Sequence, residues 1–180
     1  PPPPQEPEYL AAHNVPVHIV PGITAASGVG ASLGIPLTHR GLATSVRFLT
    51  GHLKEGRAEA VDKLGEVDTV TTLVVYMGLG TLPSLCQQLL EERGLPGDLP
   101  AVAVERGTTP EQRIVFDDLE SISDSVQGAG LKSPTLIVIG KVVALSPLWE
   151  KGFAGSVPHH WGILPTLNPD QDKQGMANLN

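Results

Sequence analysis

Residues 73–94 read LVVYMGLGTLPSLCQQLLEERG, and this stretch decides the fold. Its first residues, Leu73 to Met77, form an apolar run that is typical of a strand. Thr81 then offers a helix N-cap, and the leucines at positions 82, 85, 89 and 90 recur with the three-and-four spacing of one helical face. Gly94 is typical of the residue that follows a helix. The stretch predicts a strand, a turn and a helix over Leu82 to Glu92.

Short apolar runs on either side of this stretch predict further strands. Leu119, Ile122 and Val126 share the face of a second helix. Strands separated by helices of this length predict a layered α/β sheet, and the short turn GTTPEQ predicts one antiparallel pair. The runs are Val17 to Val20 and Val46 to Leu49, both predicted to be buried, then Ala101 to Val104, Arg113 to Phe116, and Leu136 to Val143 as the last strand.

The two ends of the chain lack both periodic patterns. Residues 1–14 open with PPPPQEPEY, whose prolines favour an extended, irregular tail. In residues 151–180, Gly, Pro, Asn and Asp interrupt every short run, which predicts an irregular extension. The predicted folded lobe is therefore residues 15–150.

The composition favours a folded domain that binds a small molecule. The chain of 180 residues is 41% hydrophobic and carries a net charge of -7, with its lysines and arginines scattered. This pattern argues against a nucleic-acid or membrane surface, and the apolar runs are too short to span a bilayer. The single cysteine, Cys86, is expected to be buried in a reducing compartment. His159 and His160 lack carboxylate or cysteine neighbours, so no metal site is predicted.

Three segments combine small residues and charges in ways that suit a ligand site. In the first, Thr24 could cap a helix whose small residues admit close approach, although a tightly packed structural helix explains them too. The second follows a strand, where ligands bind in open α/β sheets, or is an ordinary turn. In the third, Arg106 and Arg113 could clamp carboxylates, or belong to a solvated hairpin. The segments are VPGITAASGVGASLGIPLTHRG (20–41), YMGLG (76–80) and VERGTTPEQR (104–113).

Read in order, these motifs resemble the uroporphyrinogen-III C-methyltransferases of the tetrapyrrole methylase family. The resemblance covers roughly Val15 to Trp149, and its most specific part, GIPLTHRGLATSVRFLTGH, is similar to the plant and algal members. It implies the C-terminal lobe of that α/β fold, with a mixed central sheet flanked by helices. The motifs that carry it are VPGITAASG, GIPLTHRG, SVRFLTGH, YMGL, VERGTTPEQR and SPTLIVIGKVV.

The resemblance also implies a reaction and its ligands. The family transfers methyl groups from S-adenosylmethionine to uroporphyrinogen III, giving precorrin-2 on the branch to sirohaem and cobalamin. The positions that match its cofactor site are Thr24, Ala25, Met77 and Gly107. The family's homodimer makes a dimer the expectation here, and the location implied is the plastid stroma if the source is plant or algal, and otherwise the cytoplasm.

A substrate with eight carboxylates needs fixed positive charge near the reacting ring. The candidates for that role are His39, Arg40, Arg47 and His52. Arg40 and Arg47 are expected to face the cleft beneath the YMGLG turn.

One departure from the family pattern qualifies the activity. The glycine-rich first loop, the Gly-Asp-Pro loop and the acid and base residues of the family have no counterpart in this sequence. The expectation is half of an enzyme, inactive until the N-terminal half is supplied. The alternative is a non-catalytic module that binds a tetrapyrrole or forms a dimer.

Overall fold

The computed structural model describes residues 6–51, 53–54, 57–58 and 65–156, and a six-stranded mixed sheet forms its centre. The helices are α1 (Glu6–Ala12), α2 (Ala25–Leu33), α3 (Leu82–Glu91) and α4 (Ile122–Ala129), with 3-10 helices at Leu79–Thr81 and Lys141–Leu145. The strands are β1 (Ser45–Thr50), β2 (Leu53–Lys54), β3 (Arg57–Ala58), β4 (Thr71–Tyr76), β5 (Pro100–Glu105), β6 (Arg113–Asp118), β7 (Thr135–Ile139) and β8 (Ala154–Ser156).

The strand order of the sheet is β1-β4-β7-β5-β6-β8. Strands β1 and β4 run parallel, and the other neighbouring pairs in this sheet are antiparallel. The predicted mixed α/β sheet is therefore confirmed, as is the antiparallel pair across the GTTPEQ turn, in which Val104 lies opposite Ile114. The short strands β2 and β3 form a separate antiparallel ribbon.

The sheet is covered on both faces because its side chains alternate. Leu73 and Val75 of β4 pack into one apolar cluster with α3 and α4. Val74, between them, belongs to a second cluster with α2 and the 3-10 helix Lys141–Leu145. Burial on both faces explains why β4 reads as a continuous apolar run.

Helix α3 confirms the prediction from the leucine spacing. Pro83 lies in its first turn, where a missing N–H has little cost, and Leu85 and Leu89 are fully buried. Thr81 precedes the helix as predicted, but its hydroxyl donates to the Gly78 carbonyl at 3.1 Å and does not cap the helix. Cys86 is buried as expected. Burial raises the pKa of its thiol to about 12, and the Asp124 carboxylate adds to the shift.

The chain ends are more regular than the sequence predicted. Residues Glu6–Ala12 form α1, so the expectation of an irregular tail is wrong there. Glu6 and Glu8 lie in the first turn, where carboxylates complement the helix dipole. At the other end, Ala154–Ser156 pairs with β6 as β8, because Phe153 packs on Phe116 and brings the chain to that sheet edge. The prediction of an irregular extension is therefore wrong for residues 154–156, whereas residues 151–153 form no helix or strand.

Two predicted strands behave differently in the structure. Residues 17–20 form no strand, and Ile19 and Val20 are 75% and 78% exposed, because no described strand lies beside them. Strand β1 forms as predicted, but Phe48 is 54% exposed, so this edge strand is not buried.

The strand predicted over residues 136–143 ends early. Strand β7 stops at Ile139, because Gly140 adopts a φ of 149° and turns the chain. The next residues, Lys141–Leu145, form a 3-10 helix, and β8 follows later, so β7 is not the last strand.

Candidate ligand-binding site

A cavity of about 510 Å³ opens at the edge of the sheet where β4 and β5 end and β7 begins. Four segments line it: the start of α2, the turn after β4, the turn after β5, and the residues leading into β7. The lining is mostly apolar, and Arg106 is the one charged residue that contributes to it within the described part of the chain. A volume of this order suits a small organic ligand.

The first wall of the cavity is the beginning of α2. Thr24 is its N-cap, and the Thr24 hydroxyl accepts a hydrogen bond from the Ser27 N–H at 3.3 Å. The Ala26 N–H instead donates to the Tyr76 hydroxyl at 3.1 Å. These contacts satisfy two of the N–H groups that a helix start leaves without intrahelical partners.

Two glycines of α2 serve packing and not a ligand. A Cβ atom at Gly30 would lie 2.9 Å from the Ile35 carbonyl oxygen, and one at Gly28 would lie 3.3 Å from the Thr108 methyl group. The structural explanation therefore holds for these two positions. Ala25, by contrast, lines the cavity.

The second wall is the turn after β4, where backbones approach closely. Met77 has a left-handed backbone with a φ of 53° and is 64% exposed. The Gly51 N–H donates to the Tyr76 carbonyl at 2.7 Å, and a Cβ at Gly51 would lie 2.4 Å from the Gly78 Cα. The end of β1 therefore supports the YMGLG turn through backbone contact.

The third wall is the turn after β5, which is held in an uncommon conformation. Arg106 and Thr108 both have left-handed backbones, with φ of 47° and 67°. The Arg106 N–H donates to the Pro134 carbonyl at 2.9 Å, and the Thr108 N–H donates to the side-chain oxygen of the buried Gln112 at 2.7 Å. Strained backbone of this kind clusters at functional sites.

The structure brings three of the four predicted cofactor residues together. Ala25, Met77 and Gly107 line the same cavity although they come from three separate segments. Thr24 adjoins them as the N-cap of α2. Their part in binding a cofactor stays a prediction.

The predicted substrate arginines do not lie at this cavity. Arg47 lies opposite Leu73 in the sheet, on the face that α3 covers, and lines a second cavity with Asp68 and Arg93. Arg40 is exposed in the turn between His39 and Ala43 and does not line the first cavity. The prediction that both arginines face the cleft beneath YMGLG is therefore wrong, because strand alternation and the turn direct them elsewhere. His52 lies outside the described residues.

Arg113 has a structural role in place of the suggested clamp. Its guanidinium bonds the Glu105 carboxylate at 3.1 Å and the Ala129 carbonyl at 2.5 Å. Arg113 therefore belongs to the hairpin, but it bonds a buried carboxylate and is not a solvated surface arginine, and Arg106 lines the cavity without it.

Sequence reasoning missed Tyr76, Thr108 and Pro134 as cavity residues. Tyr76 lies within the YMGLG motif and Thr108 within VERGTTPEQR, so the motifs contained them without distinguishing them. The sequence does not show that Thr108 has a left-handed backbone. Nor does it show that Tyr76 contacts Ala26, which is fifty residues away in the chain.

Metal binding and membrane spanning find no support in the described ranges. Residues 6–51, 53–54, 57–58 and 65–156 contain no group of three His, Cys, Asp or Glu side chains arranged to hold a metal ion. The helices of the same ranges are too short or too polar to cross a membrane.

The fold and the site define the class of protein: a mixed α/β lobe with a small-molecule cavity at one edge of its sheet. The model of the family described as Tetrapyrrole (Corrin/Porphyrin) Methylases matches residues 5–123. The chain belongs to this family.

Named relatives agree with that assignment. The chain is 61% identical over 146 residues to the chloroplastic S-adenosyl-L-methionine-dependent uroporphyrinogen III methyltransferase of Arabidopsis thaliana, covering 81% of this chain and 39% of the relative. It is 48% identical over 141 residues to the siroheme synthase of Azotobacter vinelandii, covering 78% and 30%. Both matches span less than half of the relative's length.

A solved structure shares the fold. The uroporphyrin-III C-methyl transferase of Thermus thermophilus, complexed with S-adenyl homocysteine, superposes with a TM-score of 0.63 at 36% sequence identity. The match covers 78% of this chain and 59% of that one.

Proposed function

We propose that this chain forms one side of the active site of an S-adenosylmethionine-dependent methyltransferase that converts uroporphyrinogen III to precorrin-2. The observation that carries the proposal is the convergence of Ala25, Met77 and Gly107 on one cavity. The names of the Arabidopsis and Thermus relatives support the cofactor and the substrate.

The residues present fit the cofactor. The cavity of about 510 Å³ is mostly apolar, and the tight packing around Gly107 leaves its backbone, without a side chain, at the cavity wall. Thr24, Ala25, Met77 and Gly107 would hold the cofactor through backbone groups and van der Waals contact. When bound, S-adenosylmethionine supplies an electrophilic methyl group.

The chain's own contribution is binding and orientation. The left-handed residues Met77, Arg106 and Thr108 would hold the backbone of both turns in place before the ligand binds. Holding the reacting groups in a productive geometry supplies a large share of the acceleration in such transfers. Arg106, which lines the cavity, is a candidate for binding the carboxylates of the substrate, together with His39 and His52.

An exposed apolar segment supports the need for the rest of the enzyme. Residues 15–23 lead into α2, and Ile19, Val20 and Ile23 are each at least 75% exposed. Exposed apolar side chains that lie close together along a segment are typical of a surface that contacts another protein. We infer that this segment packs against the portion of the family fold that the chain does not cover. The assembled enzyme is proposed to be a homodimer, as the family resemblance implies. If the source is plant or algal, its proposed location is the plastid, by analogy with the chloroplastic Arabidopsis relative.

A methyl-transfer assay tests the function. Radiolabelled S-adenosylmethionine and enzymically generated uroporphyrinogen III are supplied to the chain alone and to the chain mixed with the part of the Arabidopsis relative that it does not match. The chain alone is expected to give no turnover, and the mixture is expected to give labelled product. Met77→Trp in the mixture is expected to abolish that product.

The outcomes separate the hypotheses. Robust methylation by the chain alone would contradict the half-enzyme proposal. Tetrapyrrole binding without methylation in the mixture would favour the non-catalytic module. A mixture that neither binds nor methylates would overturn the proposal.

A further inference from the structure

We propose that Tyr76 is a positioning residue of the cofactor site, whose hydroxyl fixes the start of α2 relative to the end of β4. The inference rests on the proposed function. Tyr76 is fifty residues from Ala26 in sequence, and its hydroxyl accepts the Ala26 N–H at 3.1 Å. Ala25 precedes Ala26 and Met77 follows Tyr76, so each partner of this hydrogen bond adjoins a predicted cofactor residue that lines the cavity.

The sheet fixes the backbone of Tyr76 independently of α2. Tyr76 is the last residue of β4, it lies opposite Thr50, and its carbonyl accepts the Gly51 N–H at 2.7 Å. Its ring packs against the apolar cluster on the α2 face, 6.3 Å from the ring of Phe48. The pairing of β1 with β4 therefore sets the backbone position from which the Tyr76 hydroxyl reaches the start of α2.

The Ala26 N–H makes this hydrogen bond consequential. Ala26 is fully buried, and its N–H belongs to the first turn of α2, where no intrahelical acceptor exists. Thr24 caps the Ser27 N–H instead. Without the Tyr76 hydroxyl, the Ala26 donor would be buried without this acceptor, so the first turn of α2 would loosen or shift.

Tyr76→Phe removes one oxygen atom and keeps the ring. We expect the variant to fold, and its affinity for S-adenosylhomocysteine to fall roughly 2- to 12-fold, since the net contribution of one hydrogen bond corresponds to such a factor. Amide hydrogen exchange at residues 25–27 is expected to become about tenfold faster. Tyr9→Phe is the matched control, because Tyr9 is exposed in α1 and does not line the cavity.

Three quantities are measured in the full chain and in both variants. They are the affinity for S-adenosylhomocysteine by calorimetric titration, the amide exchange rates without ligand, and the stability by urea unfolding. Weaker binding together with faster exchange, in Tyr76→Phe alone, supports the positioning role. Lower stability with unchanged affinity would mean a merely structural residue and would overturn it. If the wild-type chain binds no S-adenosylhomocysteine, with or without the unmatched part of the Arabidopsis relative, the proposed function fails. In that case unchanged exchange at residues 25–27 in Tyr76→Phe would show that Tyr76 does not hold α2 either, and faster exchange would retain only its hold on the start of α2.

Discussion

Gly107 and Val29 are in such close contact that no side chain fits between them. A Cβ atom placed on Gly107 would lie 2.4 Å from the Cγ2 atom of Val29. The turn after β5 and helix α2 therefore meet directly, and both line the candidate cofactor cavity. The absence of a side chain at Gly107 sets the separation of these two walls.

Gly107→Ala is expected to destabilise the chain by about 1–3 kcal/mol, the usual cost of overpacking. Val29→Ala should cost less stability in the Gly107→Ala background than in the wild-type chain, because it removes the atom that the new methyl group meets. Urea unfolding of the two single variants and the double variant gives the coupling energy. Gly80→Ala is the control, since Gly80 lines the same cavity and a Cβ there meets nothing within 4 Å. Additive effects of Gly107→Ala and Val29→Ala would contradict the contact.

Arg113→Met is expected to lower the free energy of unfolding by about 1–3 kcal/mol, because it leaves a buried carboxylate with fewer partners. Glu105 is 5% exposed and would retain the Lys132 N–H at 3.1 Å. The Arg113 side chain is 37% exposed, so solvent screening reduces the effect. Adding Glu105→Gln should restore stability by removing the charge.

Thermal and urea unfolding measure this effect, with Arg40→Met as the control at an exposed arginine. The control should change stability by less than about 0.5 kcal/mol. Arg113→Met should also leave the affinity for S-adenosylhomocysteine unchanged, since Arg113 bonds Glu105 and the end of α4. A large loss of affinity at constant stability would revive the carboxylate-clamp hypothesis.

The Cys86 thiol is expected to make stability fall at alkaline pH. Its pKa is about 12 in the folded chain against 9.0 for the unperturbed group, so the unfolded state loses its proton first as the pH rises. The stabilising contribution is complete below pH 9 and is lost between 9 and 12. Between about pH 8 and about pH 10.5 the loss should approach about 2 kcal/mol.

Urea unfolding of the wild-type chain and of Cys86→Ala at both pH values isolates this effect, because the other titrating groups are common to both. The stability difference between the two proteins should shift by that amount as the pH rises. If the stabilities of the two proteins depend on pH in the same way, the pKa of the Cys86 thiol is not raised in the folded chain. Alkylation of Cys86 by iodoacetamide should likewise be slow until the chain is unfolded.

The motifs identified the cavity residues better than the residues' own chemistry did. The family resemblance points to Ala25, Met77 and Gly107, and the structure places them at one cavity. Charge alone points to Arg47, and the structure places it on the other face of the sheet. Charge in a sequence does not report the face to which a strand residue points unless the register is known.

The sequence by itself determined the local elements and the layered class of the fold. Leucine spacing predicts α3, because a helix with one buried face repeats its apolar residues every three or four positions. Continuous apolar runs predict the core strands β4, β5, β6 and β7, because strands buried on both faces are apolar throughout. Only the tertiary structure decided the geometry of the site. The left-handed turn at Arg106 and Thr108 and the contact from Tyr76 to Ala26 depend on segments far apart in the chain. Such contacts arise when the sheet brings its strand ends to one edge, and no local propensity encodes that distance.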